Sequence, residues 1–208
     1  MTDLERRNIE AAIEEIKNGK VVIVTDDENR ENEGDFIAAA EVITPEIINF
    51  MSKEGRGLIC APLSAERCRE LKLDLMVTKN TALHNTNFTI SVDLLGHGCT
   101  TGISAHDRAK TINALAADET RPEDFGRPGH VFPIQAHPEG VMARPGHTEA
   151  TIELARLAGL KPAGVLIEIM NPDGSMARYP DLVKLSEKLG IKIITIKHLI
   201  KYLKSHNS

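Results

Sequence analysis

The stretch DDENRENEGDFI, residues 26–37, holds Asp26, Asp27, Glu28, Glu31, Glu33 and Asp35 around a single cation, Arg30. If residues 31–35 are extended, Glu31, Glu33 and Asp35 share one face, because strand side chains alternate. Three carboxylates on one face repel unless a cation or a proton is shared among them. Gly34 would let the backbone come close to a ligand. A hard divalent cation such as Mg²⁺ prefers this oxygen-rich setting. The plainer alternative is a solvated acidic turn, and the same-face triple next to a buried strand weighs against it.

A second group of chemical residues sits in RPGH, which occurs at residues 127–130 and again at 144–147. Pro-Gly makes a tight turn that fixes the following His. Arg offers a planar fork for phosphate or carboxylate. The second copy continues into HTEAT, so Arg144, Pro145, Gly146, His147 and Thr148 stand at a helix N-terminus, a ready phosphate site. His147 suits a metal ligand or proton carrier. Thr101, in TTGIS at residues 100–104, precedes another helix start and is a weaker anion candidate. Glu168 interrupts the apolar strand GVLIEIM, where an unpaired charge is costly, so it is either paired or working. Cys60 in GLICAPL reads first as a small packing residue.

These residues need elements to place them. Ile9, Ala12, Ile13 and Ile16 fall at helical spacing, with Gly19 as a stop. VVIV at 21–24 is a strand buried on both faces, and 36–43 is a second strand. Thr44 and Pro45 open a helix that stops near Gly55, 57–63 is a strand, and Ser64 opens a short helix. Residues 87–93 alternate as a strand. Ser104 opens a helix with Asp107 in a capping-box-like position. Residues 130–136 are extended, with Pro133 suggesting an edge or a bulge. A helix capped by Thr148 runs to Gly159, and a strand at 164–170 ends in the turn NPDG. A helix over about 181–189, the strand IKIITI and the helix KHLIKYLKS complete the order. The class is α/β (α+β): a mixed sheet surrounded by helices in a single domain, 1–208.

Bulk numbers narrow the function. Hydrophobic residues make up 41% of the 208, enough for a full core. A net charge of -5, two Tyr, five Phe and no Trp leave little for a nucleic-acid surface. No apolar run approaches a membrane span, and the start MTDLERRNIE is not a signal peptide. Three widely spaced cysteines point to a reducing, cytoplasmic setting.

Taken together, DDENRENEGDFI, GLICAPL, FTISVD, TTGISAHDRAKTI, RPGHVFPI, RPGHTEAT and GVLIEIMNPDGSMAR resemble the 3,4-dihydroxy-2-butanone 4-phosphate synthase family of riboflavin biosynthesis. The resemblance implies a lyase that converts D-ribulose 5-phosphate into 3,4-dihydroxy-2-butanone 4-phosphate and formate. It implies Mg²⁺ (or Mn²⁺), an α/β fold, and a homodimer with its active sites near the subunit interface. Carried onto this chain, Glu31 and His147 are the metal-holding pair. Arg30, Glu31, Asp35, Glu168 and the Arg144 to Thr148 stretch, with Pro145 and Gly146, are substrate contacts. His130 and Glu168 are essential to catalysis, and Cys60 and Thr101 lie in segments lining the site. Many relatives carry a fused GTP cyclohydrolase II domain, so a chain ending at Ser208 is expected to be the monofunctional form. Asp35 and Glu33 are both candidates for the base that takes the C3 proton. A metal-dependent phosphohydrolase would use the same parts but release inorganic phosphate.

Overall fold

The apolar run after the first helix forms a strand buried on both faces, as its lack of alternation predicts: all four residues of β1 (Val22–Thr25) are buried. The computed structural model describes residues 1–206. β1 pairs antiparallel with β2 (Gly34–Ala39) and parallel with β7 (Ile193–Thr195). β2 pairs antiparallel with β6 (Gly164–Glu168), and β6 meets β3 (Cys60–Leu63). β3 runs parallel with β5 (Phe125–Gln135), and β4 (Val92–Leu94) lies antiparallel to β5. One mixed sheet results, in the order β4-β5-β3-β6-β2-β1-β7.

Strand alternation splits the core in two. Ile23, Phe36, Ala38, Val165 and Ile167 face α2 (Pro45–Gly55), α4 (Ala105–Ala116) and Leu182 of α6 (Tyr179–Leu189), with Cys68 of α3 (Ala65–Glu70) in the same cluster. Val22, Val24, Ile37, Ala39 and Leu166 face the other way. They meet α1 (Asp3–Lys17), α5 (His147–Leu157) and α7 (Ile196–His206). The expected α/β arrangement, a mixed sheet between helices, is what the chain forms. Among the described residues no helix is long and apolar enough to cross a membrane.

Several boundaries differ from the sequence reading. The strand expected at 36–43 starts at Gly34 and stops at Ala39, because its partner β6 begins at Gly164, opposite Ala39. The strand at 57–63 begins only at Cys60, and that at 87–93 shrinks to β4 plus single bridges at Phe88 and Thr89. β5 is longer than 130–136 and lies inside the sheet between β4 and β3. Pro133 is therefore not on an edge strand, and the irregular register falls at Val92 and Asp93. Gly146, rather than Thr148, is the N-cap of α5.

Candidate active site

The acidic loop between β1 and β2 is a turn, not an extended strand: Asn32 has a φ of 54°. Alternation therefore does not bring Glu31, Glu33 and Asp35 together, contrary to the sequence expectation. The side chain of Asp26 does much of that work. It is fully buried and accepts the backbone N–H groups of Glu31 at 3.0 Å and Glu33 at 2.9 Å, and the Arg30 guanidinium at 2.9 Å. With the loop folded back in this way, Glu31, Glu33 and Asp35 all line one cavity of about 120 Å³.

The sheet supplies the floor. Asp35 is the direct cross-strand partner of Glu168 in the β2–β6 ladder. Each shares its strand parity with a residue of the α5 side, Ile37 and Leu166, so both carboxylates point toward α5. Glu168 is held: its Oε2 accepts the Leu58 N–H at 2.9 Å, and a Cβ on Gly57 would lie 2.5 Å from that oxygen. Like charges opposite each other in a sheet repel. Burial first, with Glu168, Glu31 and Glu33 adding, pushes Asp35 up to about 7, against the pull of His147. Burial also raises Glu33.

The second RPGH copy is the roof. His147 and Thr148 form the first turn of α5 and are buried. His147 Nδ1 lies 3.7 Å from Glu31 Oε2 and 3.9 Å from Asp35 Oδ2. Burial opposes charge on His147, but Asp35, Glu31 and Asp26 outweigh it and hold the imidazole at about 9. Burial likewise opposes charge on Glu31, but His147 and Arg30 hold it at about 2. Arg144 donates to Glu149 Oε2 at 2.6 Å, to Thr86 Oγ1 at 3.1 Å and to the His84 carbonyl at 3.2 Å. A Cβ on Gly146 would sit 2.6 Å from Arg144 Nη1, 3.0 Å from Glu149 Oε2 and 3.1 Å from Arg30 Nη2. Two guanidiniums thus converge on a glycine at a helix N-terminus, where amide dipoles already favour an anion.

The first RPGH copy does something else. Arg127 is spent on the carbonyls of Leu71, Pro122 and Phe125. His130 is exposed and stands outside the cavity, with Nδ1 2.6 Å from Asp93 Oδ2. Thr101 is exposed and also outside it. The amides of Thr100 and Gly102 already bind Asp107 Oδ2, so the anion this loop holds is the chain's own carboxylate. Cys60 is buried in β3 opposite Leu166 and Phe132, and burial, with Glu168 and Asp35, raises its thiol well above the usual value. His84, Thr86 and Glu149 belong to the site's construction without any role expected from the sequence, and Asp26, named there only within the acidic cluster, proves to be the loop's anchor. Glu149 left no readable sign, since its neighbours one and two turns on, Ile152, Glu153 and Arg156, read as an ordinary mixed helix face.

A cation fits the donor set. Asp26, Glu31 and His147 each offer one ligand atom within 4.8 Å of the others. His147 Nε2 and Asp35 Oδ1 are buried with no hydrogen-bond partner among the described residues, which is unusual for buried polar atoms and points to a ligand. Asp26 has both oxygens committed, to two amides and Arg30; Glu31 is held by Arg30 at 2.6 Å through Oε2 alone, which leaves its Oε1 and His147 as the freer donors.

The sequence pattern of the 3,4-dihydroxy-2-butanone 4-phosphate synthase family matches residues 10–202. The riboflavin biosynthesis protein RibBA of Cytophaga hutchinsonii is 66% identical over 208 residues, all of this chain and 51% of that protein. RibBA of Aquifex aeolicus is 58% identical over 195 residues, 93% of this chain and 48% of its own. The chain spans about half the length of these curated relatives. Among solved structures, a 3,4-dihydroxy-2-butanone 4-phosphate synthase in complex with two magnesium ions is 45% identical with a TM-score of 0.90, over 95% of this chain and 96% of that one. The two-domain synthase RibBX of A. baumannii is 50% identical with a TM-score of 0.89, over 93% of this chain and 57% of that one. On sequence and on fold, over nearly its whole length, the chain belongs to the 3,4-dihydroxy-2-butanone 4-phosphate synthase family, a family of enzymes.

Proposed function

We propose that the chain is a metal-dependent lyase that converts D-ribulose 5-phosphate into L-3,4-dihydroxy-2-butanone 4-phosphate and formate, the source of a four-carbon unit for riboflavin. The observation that carries this reading is the make-up of one cavity. Four carboxylates and a buried imidazole line it together with Arg30, Arg144 and the N-terminus of α5.

The reaction removes a proton from C3 of the sugar, expels the C1 hydroxyl, shifts the carbon skeleton and releases C4 as formate. Negative charge develops on oxygens beside a carbonyl. Mg²⁺ (or Mn²⁺) bound by Glu31 and His147 would supply the Lewis acid that stabilises that charge. Asp35, raised to about 7 and with no hydrogen-bond partner for Oδ1 among the described residues, accepts the C3 proton near neutral pH in this reading. Glu33, also raised, is the second candidate. Glu168, fixed by the Leu58 amide opposite Asp35, handles a later proton. Arg30, Arg144, Gly146 and Thr148 hold the phosphate, the two guanidiniums being steadied by Glu31 and Glu149, and Pro145 fixes the turn that sets Arg144 beside His147. Cys60 backs the wall as a neutral thiol.

In this reading residues 1–208 act as one domain in a reducing cytoplasm, and two copies form a dimer. His130 and Thr101 lie outside the cavity, and Leu83, Leu95 and Ile103 are exposed, which supports a second copy completing the site. Metal-stripped protein given ribulose 5-phosphate, with and without Mg²⁺, tests the lyase. Metal-dependent formate without inorganic phosphate is expected. Phosphate release alone would make the chain a phosphohydrolase, and no formate from folded protein would sink the proposal.

A further inference from the structure

Arg178 ends the segment NPDGSMAR and is the N-cap of α6, far along the chain from the acidic loop. It does not line the cavity. Its Nη1 nonetheless donates to the carbonyls of Glu31 at 2.8 Å and Asn32 at 2.5 Å, and lies 4.0 Å from Glu33 Oε1. On the other side of the same backbone, Asp26 takes the N–H groups of Glu31 and Glu33. The peptide that carries Glu31 is thus gripped by an anion on its donors and a cation on its acceptors.

The grip has something to hold. Asn32 is in the left-handed region, a conformation that non-glycine residues keep only when their surroundings impose it. The backbone hydrogen bonds of residues 26–33 run inside the loop: Asp26 to Glu33, and Arg30 and Asn32 to Asp27. Asp26 belongs to the loop as well. Arg178 therefore ties the loop backbone to another element. The same helix braces the loop exit, since a Cβ on Gly34 would lie 2.4 Å from Leu182 Cδ1.

We propose that Arg178 is a positioning residue: by holding the Glu31 and Asn32 carbonyls it aims the Glu31 carboxylate at His147 and sets how tightly the pair holds a divalent cation. This rests on the reading of Glu31 and His147 as the metal pair. Outer groups of this kind support the ligands of many metal sites, and their loss costs about 10- to 100-fold in affinity.

The test is a Mn²⁺ titration followed by electron paramagnetic resonance, on the full chain and on Arg178→Met, with Arg178→Lys as the conservative variant. Arg178→Met is expected to bind Mn²⁺ at least about tenfold more weakly. The Mg²⁺ concentration for half-maximal formate production should rise in step. KM for ribulose 5-phosphate at saturating metal should stay within about twofold, as for a residue that does not touch substrate. Arg178→Lys should recover part of the binding, since an ammonium still donates to carbonyls. If Arg178→Met does not fold, Arg178→Gln takes its place in the titration. Mn²⁺ binding equal to the parent's in a folded Met or Gln variant overturns the proposal. So does failure of all three variants to fold with metal present, which would make Arg178 a stability residue. A parent chain that neither binds Mn²⁺ nor makes formate would remove the metal reading itself, an outcome distinct from either.

Discussion

Asp35 and Glu149 are both buried acids, yet their surroundings give them different work. Asp35 has one oxygen without a hydrogen-bond partner among the described residues and is raised to about 7, so it can exchange a proton near neutrality. Asp35→Asn keeps the shape and removes the base. Formate turnover is expected to fall by about 10²- to 10⁴-fold, the usual worth of a positioned base. Mn²⁺ binding should persist in that variant, and wild-type turnover would pass the role to Glu33. Glu149 has both oxygens engaged, one by Arg144 and one by the His137 amide at 2.9 Å. Glu149→Gln leaves an acceptor for His137 but takes the counter-charge from Arg144. A hydrogen bond to a charged group is worth about 1.5–3 kcal/mol. KM for ribulose 5-phosphate should therefore rise by about tenfold or more with kcat changed far less. A drop confined to kcat would show that Arg144 does not bind ground-state substrate.

Elements turn these residues toward one another, and here the sequence was legible in some places and opaque in others. The buried β1, the interrupted strand holding Glu168 and the helix after RPGH could each be read from apolar runs, a stray charge and Pro-Gly punctuation. Cross-strand register could not, so the pairing of Asp35 with Glu168 was invisible until β2 and β6 were aligned. The acidic loop misled for a physical reason. Alternation was assumed to place three carboxylates on one face, whereas a left-handed Asn32 and the Asp26 hydrogen bonds do it. Two identical RPGH stretches also take different backbones and partners: the first runs within β5 instead of making the expected tight turn, with three carbonyls for Arg127, and the second turns into α5, with a carboxylate and the 84–86 segment for Arg144. Packing of α6 on the first residue of β2 makes a prediction at this scale. Gly34→Ala would force Leu182 away and is expected to cost about 1–3 kcal/mol, as overpacking does. In denaturant melts Leu182→Ala should absorb much of that cost, giving a double variant well short of additive. Strict additivity would mean that the strain lies elsewhere.

Across the whole molecule, the site stores electrostatic tension that should show in stability. His147 has an ordinary value of 6.5 and is held at about 9, so its contribution is complete below pH 6.5 and is lost as pH rises through 9. Asp35, ordinarily 3.8, is raised to about 7: the cost of ionising it in place is absent below pH 3.8 and complete above 7. Glu31, ordinarily 4.5, is held at about 2, so its contribution is present above pH 4.5 and is lost only in strong acid. Between pH 6.5 and 9 the first two act in one direction, and metal-free protein should lose on the order of 2 kcal/mol, or roughly 4–8 °C in Tm. Other groups titrate over the same range, so the sharper quantity is the rise in Tm that a fixed Mg²⁺ concentration brings at each pH. Binding at His147 requires the neutral imidazole and displaces its proton. The Mg²⁺-dependent rise should therefore grow from pH 6.5 to 9 and level off above that. His147→Ala should abolish the rise at every pH, and Glu31→Gln should shrink it. A rise independent of pH would mean that Mg²⁺ binds without displacing the His147 proton. It would leave the carboxylates as the only ligands and contradict the pairing of Glu31 with His147.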